Sequence, residues 1–182
     1  MKKKVSVLIK VSCRFNNPFW KLLQLFHDVL YDNMGNFEFE YAAKVREKKN
    51  NIEFLGYYDD TTKQMTDTYI ADKWADDIET EIRPYIKENF GDSTDFFVFY
   101  DDRIGDKLGI DPVHPESYKD FNAAPTIRIT IPRKKNDGDE ELFNSFISYL
   151  KNEDKLQQGF VAVEYIAKSG EILEEEEWSK EF

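Results

Sequence analysis

Apolar residues open the chain at alternate positions: Val5, Val7, Ile9, Val11 and Cys13, with Ser6, Lys10 and Ser12 between them. Alternation sends one set of side chains inward and the other to water, so a half-buried strand is expected. Asn17 before Pro18 is a helix start: a capping side chain, then a residue whose fixed φ suits the first helical position. Phe19, Leu22, Leu23, Phe26, Val29 and Leu30 follow at helical spacing, which predicts a helix over 18–32 closed near Gly35. Phe37, Phe39, Tyr41, Ala43 and Val45 then share one face of a second strand. Lys49-Asn50-Asn51 is a turn, and residues 52–58 return from it as the other arm of a hairpin. A loop is expected over 59–63.

The longest periodic stretch carries Ile70, Ala71, Trp74, Ile78, Ile82, Tyr85 and Ile86. It predicts a helix from 66–68 to 89, with Trp74 and Ile78 against a sheet. Pro84 is its flaw, because proline removes a donor and crowds the preceding turn. Gly91 ends it. Phe96-Phe97-Val98-Phe99-Tyr100 is an unbroken apolar run, which predicts a strand covered on both faces. Residues 101–124 are irregular, with Gly105, Gly109, Pro112 and Pro115. Ile127, Ile129 and Ile131 mark a strand over 126–131. Asp137-Gly138-Asp139 opens a helix carrying Leu142, Phe143, Phe146, Ile147 and Leu150. A last strand is expected over 160–167. A helix from near Glu174 would place its acids at a positive N-terminal dipole and dock the tail through Leu173 and Trp178.

The order is β-α-β-β-α-β, then β-α-β. The expected class is α+β, with a mainly antiparallel or mixed sheet and helices packed on it. The first six elements have the order of a ferredoxin-like split βαβ fold, with an added βαβ unit. A single domain over 1–182 is expected, with a sub-boundary at 102–124 and an acidic segment at 171–182. Such a fold hosts many activities and does not name one.

Charge narrows the classes. The 182 residues carry a formal net charge of -11, with 15 Phe, 10 Tyr and 3 Trp to fill a core. A phosphate backbone needs Lys and Arg to replace its counterions, so nucleic acid is disfavoured, as are anionic membrane surfaces. The apolar run after Lys2–Lys4 is interrupted at Ser6 and ends at Lys10, short of a signal-peptide core. A cytoplasmic protein is expected; a secreted one shown without its signal is the alternative. With Cys13 as the one cysteine, no internal disulfide forms.

Chemical motifs are sparse. Asp101 and Asp102 end the apolar run, and paired aspartates at a strand end can hold Mg²⁺ through hard oxygen ligands. Asp59 and Asp60 follow another apolar strand, so four aspartates converge if both loops leave one sheet edge. Asp101, Asp102, Asp106 and Asp111 lack the spacing of an EF-hand loop. His27 and His114 have no nucleophile or ligand pattern around them. No catalytic residue, cofactor or tight metal site is expected.

Acids cluster more tellingly. Residues 59–82 hold eight acids against two lysines, and the last twelve residues hold six glutamates with Trp178. Asp72, Asp76, Asp77, Glu79 and Glu81, with Trp178, are the expected contacts for a basic protein partner, with Asp72, Asp76 and Glu79 exposed on one helix face. The favoured reading is a binding or inhibitory protein of the immunity or antitoxin kind. The alternatives are a metal-assisted hydrolase or nucleotidyl enzyme using Asp101 and Asp102, and a ligand-sensing or structural domain.

Overall fold

The computed structural model describes residues 23–31, 39–153 and 155–182. The predicted first strand lies outside them. The chain divides into two compact units: one ends at Lys73 and is resumed by Asp101–Glu116, and the other comprises Trp74–Tyr100 and Ser117–Phe182. The class is α+β.

The first unit is built on a four-stranded antiparallel sheet in the order β1-β2-β3-β4. Its strands are β1 (Leu23–Tyr31), β2 (Tyr41–Glu47), β3 (Glu53–Asp59) and β4 (Gln64–Asp67). β2 and β3 form the expected hairpin. Asn51 takes the left-handed turn at φ 63, a conformation asparagine tolerates. Phe39, Ala42 and Tyr57 cluster on one face, and on the other Phe54 meets Tyr69 edge-on at 5.2 Å.

Residues 23–31 are strand, where the sequence predicts helix. The remainder of the predicted helix falls outside the described residues. The pairing of β1 with β2 shifts register between Leu25 and Val29. That irregularity breaks the two-residue period and leaves the apolar positions at helix-like spacing.

Helix α1 (Tyr69–Phe90) keeps Pro84 inside it. The Tyr69 amide donates to Asp67 Oδ1 at 3.1 Å, which satisfies one orphan donor of the first turn. The short helix α2 (Ile104–Leu108) lies in the stretch expected to be irregular. A Cβ on Gly105 would meet the Ile70 side chain at 2.8 Å, so only glycine allows this close approach.

The second unit is a mixed four-stranded sheet in the order β5-β6-β7-β8, formed by β5 (Asp95–Phe99), β6 (Thr126–Ile131), β7 (Phe160–Tyr165) and β8 (Trp178–Glu181). β6 and β7 run parallel across helix α3 (Asp139–Asn152), the expected βαβ unit. β5 pairs with β6, so the strand before residue 100 does not join the β2–β3 hairpin in one sheet. The ferredoxin-like order is not seen among the described residues.

Trp74, Ile78, Ile82 and Ile86 of α1 are completely buried, as are Phe143, Phe146 and Leu150 of α3. The helices meet through Phe90, whose ring stacks on Phe143 at 5.9 Å. Arg83 lies over the Phe96 ring at 4.8 Å, which places α1 on the β5 end of this sheet.

The C-terminal segment is a strand, not the expected helix. β8 pairs with β7, and the Trp178 ring lies 4.9 Å from Phe143. Gly159 and Phe182 exchange two backbone hydrogen bonds of 3.0 Å. The tail is docked through Trp178, as expected, but by sheet extension.

Candidate functional site

β5 was expected to be covered on both faces. Instead its burial alternates: Phe96 and Val98 are buried, while Phe97 is 63% exposed and Phe99 44% exposed. Alternate side chains of a strand stand on opposite faces. One face of the β5–β8 sheet thus carries the core, with Ile127, Ile129, Ile131, Val161 and Val163 buried on it.

The register defines what lies on the other face. Phe99 is opposite Thr126, which is opposite Phe160, which is opposite Glu181. Phe97 is opposite Arg128, and the next row holds Asp95, Thr130 and Glu164. The face is aromatic at the β5 side and acidic towards β7 and β8. Arg128 reaches Glu164 at 3.5 Å across the strands.

Beyond Glu164 is a half-open hollow of about 280 Å³, walled by Glu164, Glu174, Glu175 and Glu177, with Ile166 and Ile172 among its apolar lining. Loss of water, together with a hydrogen bond to Glu164, pushes the Glu177 carboxyl above its ordinary value. Ile172 is 68% exposed at this site. Neither the exposed phenylalanines nor this hollow was expected from the sequence. The available signal was the surplus of Phe in 96–100, more than one buried face of a short strand uses.

The acids of α1 are placed differently from one another. Asp76 is exposed and Asp77 half-buried. Asp72 is half-buried rather than exposed. Burial pushes its carboxyl up to about 6, with Asp67 and Asp102 adding repulsion against the stabilising Thr68 hydroxyl, which donates to it. Glu79 is half-buried, accepts the Val98 amide at 3.1 Å and pairs with Arg83 at 3.3 Å. Glu81 accepts the Tyr118 hydroxyl at 2.9 Å and pairs with Lys119. Trp178 is half-buried.

Asp101 accepts Lys107 Nζ at 2.6 Å and the Arg103 amide at 2.9 Å, and the hydrogen bond from Lys107 holds its carboxyl below the usual range. The loop after β3 does approach this one. The buried Asp59 takes the Arg103 guanidinium at 3.1 Å and the Thr61 amide at 2.7 Å. An arginine thus stands where the convergence of aspartates would have placed a cation. Among the described residues no group of three His, Cys, Asp or Glu is arranged to hold a metal. His27 lies in β1, and His114 contacts Asp111 at 3.2 Å on the surface.

One buried ionic network belongs to the second unit. Asp139 receives Arg133 through two nitrogens, at 2.6 and 2.8 Å, the Tyr165 hydroxyl at 2.7 Å and the Asn136 amide at 3.0 Å. Burial alone would raise its carboxyl. The Arg133, Tyr165 and Asn136 hydrogen bonds outweigh that and hold it at about 2. This network ties the start of α3 to β7.

No helix among the described residues is long and apolar enough to cross a membrane. Comparison with protein-family models, curated proteins and solved structures finds no match for the chain.

Proposed function

We propose that this is a binding protein that occupies, and thereby blocks, a basic protein partner, in the manner of an immunity protein or antitoxin. The observation that carries the reading is the exposure of Phe97 and Phe99 side by side on one face of β5. Single apolar residues scattered on a surface need no explanation, whereas a contiguous aromatic patch on a sheet face does. Aromatic side chains anchor protein interfaces because they bury much area at small entropic cost.

Charge supports a basic partner over a second copy of the chain. At a net charge of -11, two copies repel one another and a cationic surface is drawn in. Asp72, Asp76, Asp77, Glu79 and Glu81 of α1, with Trp178, are a second candidate contact. Asp76 and Glu81 are the exposed members of that helix set, while Glu79 and Glu81 already serve internal contacts.

The test is capture on the immobilised full chain, identification of the captured protein, and titration of that protein once purified. The reading expects a basic protein whose activity falls as one equivalent is added. An acidic captured protein, or a basic one whose activity is unaffected at saturation, goes against it.

A further inference from the structure

The open face of the β5–β8 sheet has a second feature beside its aromatic patch, and the two together restrict what can lie there. Resting on the binding reading above, we infer that the partner segment received by this face carries a lysine or arginine beside aliphatic residues, with its cation seated in the carboxylate-walled hollow. The aliphatic residues cover Phe97 and Phe99, and the basic side chain enters among Glu164, Glu174, Glu175 and Glu177.

Charge complementarity selects this occupant. Four carboxylates wall a hollow of about 280 Å³. Arg128 pairs with Glu164 and its charge also reaches Glu177, but no Lys or Arg among the described residues forms a salt bridge with Glu174, Glu175 or Glu177. A long basic side chain has the matching shape: an apolar stem that lies along hydrophobic surface and a charged head beyond it. Ile166 and the exposed Ile172 supply that surface. The volume lies just below the roughly 300–1,000 Å³ of small-molecule sites. It suits one side chain better than a cofactor.

The segment lies on the face and does not add as a strand at the β5 edge. The Val98 amide is already taken by Glu79. Strand addition uses such amides, so this edge is blunted.

Panning a phage-displayed library of random dodecapeptides on the immobilised full chain tests the inference. Selected peptides are then measured against wild type, the triple variant Glu174→Gln/Glu175→Gln/Glu177→Gln and the double variant Phe97→Ser/Phe99→Ser, each checked for unchanged melting. The expected peptides contain Lys or Arg next to Val, Ile or Leu. Their binding weakens about tenfold or more in both variants. Peptides lost on Phe97→Ser/Phe99→Ser but neutral, and indifferent to the glutamate changes, overturn the basic-anchor inference and leave the binding reading standing. Failure to enrich any peptide, or enrichment indifferent to both variants, overturns the inference and counts against the face itself.

Discussion

The Val98 amide of β5 donates to the Glu79 carboxylate of α1 at 3.1 Å. β5 is an end strand of its sheet. The helix that the sequence marks as strongly acidic thus spends one of its acids on closing a sheet edge. Unpaired edge amides template association with other chains. Replacing Glu79 with Ala should therefore cost about 1 kcal/mol in stability and raise self-association. Chemical denaturation and sedimentation of Glu79→Ala at several concentrations check both. A variant that melts like wild type and stays equally dispersed would remove this role.

Asp72 should be a liability to folding. Its carboxyl is raised to about 6, while an unfolded aspartate titrates near 3.8. The folded state then binds the proton more tightly, so stability falls as pH rises from about 4 to about 6 and stays lower above that. Asp72→Asn removes the charge and keeps an acceptor for Thr68. It should gain about 1–2 kcal/mol at pH 7, after allowance for partial exposure, and flatten this part of the pH profile. Denaturation at pH 4 and pH 7 for both proteins is the measurement.

Asp139 has the opposite sign. Its folded value of about 2 lies below the ordinary 3.8, so its contribution is complete above about pH 4 and is lost as pH falls through about 2. Asp139→Asn leaves the Arg133 cation without its partner and should cost about 3–5 kcal/mol. Equilibrium unfolding at pH 7 measures it. A loss below 1 kcal/mol would mean the network is incidental to stability.

The periodic core was legible in the sequence. Ile78, Ile82 and Ile86 mark α1, Ile127, Ile129 and Ile131 mark β6, and Phe143, Phe146 and Leu150 mark α3; each set is buried or nearly so. Three strands were hidden for physical reasons. β1 has an irregular register that erases its alternation. β4 is four residues long, too short for a period to emerge. β8 is a four-residue, largely exposed strand held by pairing with β7, and pairing partners are not written in local sequence. Sheet membership of β5 was hidden in the same way. The candidate face followed from it, because Phe97 and Phe99 look like core until the pairing shows which side of β5 is filled.

Gly105 offers a local check on the first unit. Ala at this position would press its Cβ into the Ile70 side chain, whose nearest atoms lie 2.8 and 2.9 Å away. Overpacking of this kind costs about 1–3 kcal/mol. Gly105→Ala should melt lower, and Gly105→Ala combined with Ile70→Val should recover part of the loss. Absence of any loss in the single variant would mean that α2 is free to shift away from Ile70.

The central claim is that the open face of the β5–β8 sheet binds a basic protein. The most direct measurement is the affinity and association rate of the captured, purified partner for wild type and for Phe97→Ser/Phe99→Ser across a salt series. The account predicts that wild-type association slows as salt rises. It also predicts that the double variant, folded and melting no lower than wild type, binds at least about 100-fold more weakly, as loss of two anchors would produce. Equal affinity of the two proteins, or a wild-type rate indifferent to salt, would contradict it.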